Sequence, residues 1–220
     1  MKKSKQAEAR HLPLKDALLV LGISLLLVIT VGGTVQIFSL LPGVYVTEWL
    51  LILLPPLVFL KVNNKDMKSI LKLKNFTGKN LTLGILGGFG IFVLSALSGL
   101  LAQEILGPYP ITPIAENIPS SWFGFIPWVF GLGVSAGICE EVLFRGFIQE
   151  GLSNRWSELK VVVIAAAIFS VFHLDPWRLL STFIMGLTAG YLLIETDSLL
   201  TPITLHVTSN TIALSIAFAL

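Results

Sequence analysis

The sequence predicts an all-α fold, a polytopic bundle of about seven transmembrane helices with a polar site inside the membrane. Composition is the first reason, because 54% of the 220 residues are hydrophobic and only 13% are charged. An ordinary soluble domain carries about 25% charged residues. The second reason is a series of long apolar runs, and the third is a small group of ionisable residues inside the later runs. Together these observations indicate an integral membrane protein that contacts a lipid bilayer.

Seven apolar runs approach the ~20 residues that a helix needs to cross a bilayer. The first follows a basic start, as in a signal peptide, but it continues without a small-residue cleavage site and predicts a retained helix. The fifth and sixth runs are short, and they fit either a tight hairpin that does not fully cross or two full spans. The runs cover residues 17–41, 44–62, 81–106, 122–149, 159–173, 179–194 and 201–220.

The distribution of Lys and Arg predicts the orientation, because short cytoplasmic loops of membrane proteins are enriched in both. Thirteen of the 15 basic residues lie before the first run, between or at the facing ends of the second and third runs, or between or at the facing ends of the fourth and fifth. The loop at 107–121 contains none and is expected to face outward. The pattern therefore predicts a cytoplasmic N-terminus.

Several features argue against other kinds of protein. Cys139 is the only cysteine, so no internal disulfide can form. No basic stripe indicates nucleic-acid binding. The glycine-rich stretch at 83–90 has the spacing of small residues in packed membrane helices, and we interpret it as a packing surface rather than a nucleotide site.

Polar side chains inside apolar runs are candidates for function, because each charge there costs at least ~2.5–3.5 kcal/mol on insertion scales. Apart from their last four residues, the first three runs hold only Gln36 and Glu48 as comparable residues, with Glu48 near a helix end. We therefore expect residues 1–119 to anchor and pack, and residues 120–220 to form the catalytic core. The candidates, all in the second of these regions, are Glu140, Glu141, Arg145, His173, His206 and Asn210.

Helical spacing divides these candidates into groups. Glu141 and Arg145 are four residues apart, so they share a helix face and can form an ion pair that helps the segment insert. Glu140 points elsewhere and has no partner close in sequence, which suits a general base in a medium of low dielectric. His206 and Asn210 also share a face. Groups from three helices can thus converge on one buried cavity.

Two kinds of hydrolytic chemistry fit this set, and spacing alone does not choose between them. In one, Glu140 activates a water while the histidines and the asparagine orient it or stabilise the oxyanion. In the other, Glu140, His173 and His206 hold a divalent metal such as Zn²⁺, which lowers the pKa of a bound water. A purely structural interpretation also exists, with hydrogen-bonded packing histidines and a stabilising Glu141–Arg145 pair.

Three motifs make the sequence similar to a known family. EEVLFR at 140–145 fits EExxxR, FSVFH at 169–173 fits FxxxH, and HVTSN at 206–210 fits HxxxN. Their order and separation resemble the CPBP family of CAAX-processing and bacteriocin-processing membrane proteases, also called the Abi or type II CAAX prenyl endopeptidase family. The resemblance covers about residues 120–213. Many members have a further helix after the third motif, whereas this sequence ends ten residues past Asn210.

The resemblance implies an intramembrane endopeptidase, expected in a bacterial plasma membrane, that acts on a membrane-associated peptide or a lipidated protein. The family is described both as metalloproteases and as glutamate proteases, so the resemblance leaves a role for Zn²⁺ open. The implied roles are a water-activating base (Glu140), a supporting pair (Glu141 and Arg145), ligands or catalytic partners (His173 and His206) and an oxyanion contact (Asn210).

Two other functions fit parts of the sequence. A transporter could use buried Glu, Arg and His as a proton or ion path, but it is expected to show repeat symmetry between its halves, and the polar residues here occupy one half. The second is a non-catalytic immunity or scaffold protein of the same family.

Membrane depth places a condition on the protease hypothesis. With the N-terminus inside, Glu140 and His206 lie nearer the cytoplasm and His173 nearer the outside. A single site therefore requires a fifth helix that begins within the membrane, or a shallow hairpin. It also requires His173 within ~10 Å of Glu140, because groups that act on one water must reach it by hydrogen bonds.

Overall fold

The fold is all-α in a computed structural model that describes residue 9 and residues 11–73, 76–110 and 117–219. No strand occurs in these ranges, which confirms the predicted fold class. The principal helices are α1 (Leu14–Phe38), α2 (Leu40–Val62), α3 (Met67–Ile70), α4 (Gly78–Leu106), α5 (Trp122–Ser153), α6 (Glu158–Phe172), α7 (Leu179–Thr196) and α8 (Leu200–Ala219).

Five of these helices, α1, α2, α4, α5 and α7, are long and apolar enough to cross a membrane. Helix α6 has 15 residues, about 22 Å at 1.5 Å per residue, which is less than the ~30 Å thickness of the hydrocarbon core. Helix α8 has 20 residues, but His206, Asn210 and several threonines reduce its apolar character. The helical membrane bundle is confirmed, whereas the count of seven spans stays a prediction.

Helix α5 lies at the centre of the bundle and packs against α1, α2, α6, α7 and α8. Two π-helical stretches, Val129–Ser135 and Val142–Ile148, flank the α-helical turn Ala136–Glu141. Such π-helical insertions in α-helices often occur at functional sites. The fully buried side chains of this helix include Cys139, Leu143, Phe144, Phe147 and Ile148.

Helices α4 and α8 approach closely because two glycines of α4 face α8. A Cβ atom at Gly84 would lie 2.6 Å from Cβ of Thr204, and one at Gly88 would lie 2.7 Å from the carbonyl oxygen of Leu205. Neither contact is sterically possible, so both positions require glycine at this crossing. The glycine-rich stretch is a packing surface, as its spacing predicts.

Two hydrogen bonds attach α2 to α5. The hydroxyl of Tyr45 donates to the carbonyl oxygen of Pro127 at 2.8 Å, and the indole Nε1 of Trp49 donates to Oγ of Ser135 at 3.0 Å. These contacts place the middle of α2 beside the turn of α5 that carries the two glutamates.

Part of the basic pattern that predicts the orientation lies outside the described residues. This applies to Lys2, Lys3, Lys5, Arg10 and Lys74. The cytoplasmic N-terminus therefore stays a prediction, as does the division at residue 119.

Candidate active site

The predicted ion pair within α5 is present. Oε2 of Glu141 lies 3.2 Å from Nε of Arg145, and the two side chains are 0% and 1% exposed. The guanidinium carbon also lies 4.3 Å from the centre of the Phe169 ring, in a cation–π arrangement. Its Nη1 and Nη2 atoms are buried and have no hydrogen-bond partner among the described residues. The ring of Phe169 therefore takes the place of a second anion for this buried cation.

The second oxygen of Glu141 connects this pair to α8. Oε1 lies 2.9 Å from Nδ1 of His206, which is buried. A carboxylate can only accept, so Nδ1 carries the hydrogen and donates it to Glu141. In the neutral imidazole, Nε2 then has a free lone pair. The chain Arg145–Glu141–His206 thus fixes both the orientation and the tautomer of this histidine.

The orientation and tautomer of His173 are also fixed, by a hydrogen bond to its own helix. His173 follows the last residue of α6, and its Nδ1 donates to the carbonyl oxygen of Phe169 at 2.8 Å. The next residue, Leu174, has a φ of 52°, in the left-handed region that a leucine rarely adopts, and this conformation ends the helix. Nε2 of His173 therefore presents a free lone pair on the side opposite its backbone contact.

Glu140 lies between the free nitrogens of the two histidines. Its Oε2 is 3.8 Å from Nε2 of His173 and 3.9 Å from Nε2 of His206. The same oxygen is buried and has no hydrogen-bond partner in the described part of the chain. These distances meet the 10 Å condition for a single site. These short distances are compatible with the predicted topology because α6 is shorter than the hydrocarbon core is thick.

A cavity of about 160 Å³ is lined by His173, His206 and Asn210, so Glu140 adjoins it through the two histidines. Nδ2 of Asn210 donates one hydrogen to the carbonyl oxygen of Leu132 at 3.0 Å. The amide nitrogen carries a second hydrogen, so it can still donate to a bound group. The polar lining is completed by Ser95, Arg178, Ser181, Thr182 and Ser209.

The donor set of one carboxylate and two imidazoles is of the type found in catalytic zinc sites. However, no group of three or more His, Cys, Asp or Glu side chains within the described ranges is arranged to hold a metal ion. Tetrahedral ligands of zinc, each about 2.0–2.1 Å from the metal, lie roughly 3.3 Å from one another. The Glu140 oxygen lies 3.8 and 3.9 Å from the imidazole nitrogens, so the side chains would have to move closer to bind zinc.

The residues of this site lie within a segment of the chain that matches a known protein family. Residues 122–212 match the family model "Type II CAAX prenyl endopeptidase Rce1-like". The chain therefore carries an Rce1-like segment. The match confirms the resemblance predicted from EExxxR, FxxxH and HxxxN, and it contains all six candidate residues. No curated protein and no solved structure matches the chain.

The phenylalanine of the FxxxH motif, Phe169, has a role that the sequence alone does not predict. In the Rce1-like segment, the fully buried ring of Phe169 makes edge contacts with the rings of Phe144, His173 and His206, at centroid distances of 5.0, 4.8 and 6.1 Å. It also carries the cation–π contact with Arg145. This ring therefore separates the buried ion pair from the cavity and holds both imidazoles in place. The motif itself was the signal for this residue.

The placement of Glu48 near a helix end was wrong. The second helix begins at residue 40 rather than at 44, and Glu48 lies within it, 7% exposed, with Oε2 lacking a hydrogen-bond partner among the described residues. Its carboxyl group is close enough to Glu140 for the two to interact electrostatically. Glu48 lies outside the Rce1-like segment, and its position inside an apolar run was the signal that could have identified it.

Proposed function

We propose that this protein is an intramembrane endopeptidase that hydrolyses a peptide bond of a membrane-associated substrate, with Glu140 activating the attacking water. The observation that carries the proposal is the approach of Glu140 Oε2 to the Nε2 atoms of His173 and His206, both within 4 Å. The Rce1-like match supports the reaction class, because the family is described as a CAAX prenyl endopeptidase. Suitable substrates are prenylated CAAX-type proteins or bacteriocin-like peptides.

The hydrogen-bond pattern explains how the site would hold a water. Both histidines donate from Nδ1 to groups outside the site, so each directs an Nε2 lone pair toward Glu140 Oε2. Three acceptors without a donor among them favour a molecule that supplies hydrogens. A water at their centre can donate one hydrogen to Glu140 and the other to a histidine.

The reaction then needs only proton transfers at named atoms. Glu140 accepts a proton as the water oxygen attacks the substrate carbonyl carbon, and it returns that proton to the leaving amine nitrogen when the C–N bond breaks. The free Nδ2 hydrogen of Asn210 can donate to the oxyanion that forms between these steps. General-base catalysis of this kind contributes about 10²–10⁴-fold to the rate.

The buried pair contributes through His206 rather than by contact with the substrate. Glu141 holds Nδ1 of His206, and Arg145 balances the charge of Glu141. We therefore assign positioning roles to Glu141 and Arg145.

The test is the hydrolysis of a quenched fluorescent peptide library by purified protein in detergent. We expect cleavage by the wild type and loss of cleavage in Glu140→Ala, with Gly90→Ala as a control at an exposed site where an added Cβ meets nothing within 4 Å. Equal cleavage by the wild type and Glu140→Ala would refute the role of Glu140. No cleavage by either protein would favour the immunity or scaffold alternative.

A chelator tests the metal hypothesis in the same assay. Loss of wild-type activity on chelation, with recovery when Zn²⁺ is added back, would assign Glu140, His173 and His206 as metal ligands. Full activity in the presence of chelator would support Glu140 acting without a metal.

A further inference from the structure

We propose that Arg178 binds a carboxylate group of the substrate inside the active-site cavity and so determines which peptides the site accepts. The inference rests on the proposed endopeptidase function and adds a substrate preference to it. Arg178 lies in the loop between α6 and α7, outside the three motifs.

Arg178 shares the cavity with His173, His206 and Asn210, and no other Arg or Lys of the described chain lines it. Two other cations of the described chain are each paired with a carboxylate. Arg145 pairs with Glu141, and Nζ of Lys72 lies 3.4 Å from Oδ1 of Asp197. The guanidinium of Arg178 makes no hydrogen bond or ion pair within the described ranges, and its side chain is exposed. It is thus a cation in the site to which the described residues supply no partner.

The nearest carboxylate in the sequence is already engaged elsewhere. Asp175 lies three residues before Arg178, but its Oδ2 accepts the hydroxyl hydrogen of Tyr109 and its Oδ1 accepts the backbone N–H of Trp177 at 3.0 Å. The ring of Trp177 in turn packs on Tyr109, and its Nε1 donates to the carbonyl oxygen of Gly107 at 3.0 Å. The loop is therefore held in a conformation that directs Asp175 to Tyr109 and leaves Arg178 available.

The surroundings of Arg178 favour an anion. Helix α7 begins at the next residue, Leu179, so the positive end of its dipole lies on the same side of the cavity. Ser95 and Ser209 line the same space, and their hydroxyls can donate hydrogen bonds. An arginine fork pairs best with a planar carboxylate, through two parallel hydrogen bonds.

In a peptide, a carboxylate comes from the free C-terminus or from an Asp or Glu side chain. The cavity is only about 160 Å³, and an extended chain advances about 3.3–3.6 Å per residue. A cavity of this volume is about 5 Å across, so the carboxylate should lie within about two residues of the bond that is cut. Both sources supply the same chemical group. Peptides that differ in the distance of the C-terminus from the scissile bond, or in having Asp or Asn near it, distinguish the two sources.

The experiment uses one peptide that the full-length protein cleaves, in a detergent without phosphate groups, so that no lipid headgroup can occupy Arg178. The peptide is synthesised as a free acid and as a C-terminal amide, each with two or with eight residues after the scissile bond. The second residue after this bond is either Asp or Asn. We expect the wild type to prefer each near carboxylate about 10–100-fold in kcat/KM, the range for a hydrogen bond to a charged group. The preference should vanish for the distant C-terminus.

Substitutions identify the residue responsible. The acid-to-amide ratio should fall to about one in Arg178→Ala, remain partly in Arg178→Lys, which keeps the charge without the planar fork, and reverse in Arg178→Glu. Arg155→Ala, at an exposed arginine that does not line the cavity, should keep the wild-type ratio. A wild type without carboxylate preference, or an unchanged ratio in Arg178→Ala, would overturn the inference.

A binding measurement separates this inference from the proposed function. Fluorescence anisotropy of the labelled acid and amide peptides is measured with Glu140→Gln and with Glu140→Gln/Arg178→Ala. Tighter binding of the acid that is lost with Arg178 supports the carboxylate site, even if the wild type cleaves nothing and the protease function fails. Equal binding of acid and amide overturns the carboxylate site, whether or not cleavage occurs.

Discussion

At the residue scale, two adjacent glutamates of α5 have opposite surroundings. Glu141 is fully buried and bonded through both oxygens, one to Arg145 and one to His206. The side chain of Glu140 is 13% exposed and faces two imidazole nitrogens without a direct hydrogen bond. Neighbouring residues on a helix point about 100° apart, so one glutamate can complete the buried support while the other faces the reaction space.

Glu140→Gln is expected to lower kcat by about 10²–10⁴-fold with little change in KM, because the amide keeps the size of the side chain but cannot accept a proton. Steady-state kinetics on a cleaved peptide measure both constants. Glu158→Gln, at the exposed start of α6, is the matched control and should behave as wild type. A rise in KM with an unchanged kcat would instead indicate that Glu140 serves substrate binding.

Replacing one partner of the buried ion pair is expected to destabilise the protein more than replacing both partners. Glu141→Leu or Arg145→Met alone leaves an uncompensated buried charge and should cost about 3–5 kcal/mol in the free energy of unfolding. The double variant should cost clearly less than the sum of the two. The free energy of unfolding in detergent is measured by circular dichroism for the wild type, the two single variants and the double variant. Additive losses would contradict a direct interaction between Glu141 and Arg145.

At the element scale, the site depends on how closely α5 and α8 approach. Gly137 lies one turn before Glu141, and a Cβ atom there would lie 2.6 Å from Cγ2 and 3.0 Å from the backbone nitrogen of Val207. Val207 follows His206 directly. The absence of a side chain at Gly137 therefore permits the contact between Glu141 and His206.

Gly137→Val is expected to force α8 away from α5, with a loss of about 1–3 kcal/mol in stability, as for other overpacked sites, and a larger loss of activity. The activity should fall because His206 loses its bond to Glu141. Gly90→Val, on an exposed part of α4 with open space around it, should retain both properties. Thermal unfolding and peptide cleavage are the two measurements, and wild-type behaviour of Gly137→Val would contradict the predicted close contact.

At the scale of the whole molecule, the proposed catalytic groups come from α5, the end of α6 and α8, and the cavity also includes residues of α4 and α7. The N-terminal helices contribute the buried Glu48 beside α5. The division at residue 119 into an anchoring region and a catalytic region stays a prediction.

Labelling of single introduced cysteines with a membrane-impermeant maleimide tests the orientation. The native Cys139 is fully buried and should not react. Lys68→Cys and Arg155→Cys, both at exposed positions, should react only after the membrane is opened, because basic loops are expected to be cytoplasmic. Ser120→Cys should react in intact cells, and the reverse pattern would contradict a cytoplasmic N-terminus.

Sequence alone determined the properties that depend on composition and on neighbours along one helix. The apolar runs indicate a membrane bundle because a segment of about 20 apolar residues is more stable in lipid than in water. The pair Glu141–Arg145 follows from a spacing of four, which places both side chains on one face of any α-helix. The three motifs identified the Rce1-like segment and the candidate residues, since each motif lies within a single helix.

Only the tertiary structure decided which groups from different helices meet. Sequence periodicity gives the face of a helix but neither its depth nor its crossing angle, which depend on side-chain packing such as that at Gly137. The second bond of Glu141, to His206, arises in this way, and so does the burial of Glu48 beside Glu140. The pairing of Asp175 with a distant tyrosine, rather than with the nearby Arg178, is a further contact of this kind. These contacts join residues far apart in the chain, and no local pattern encodes them.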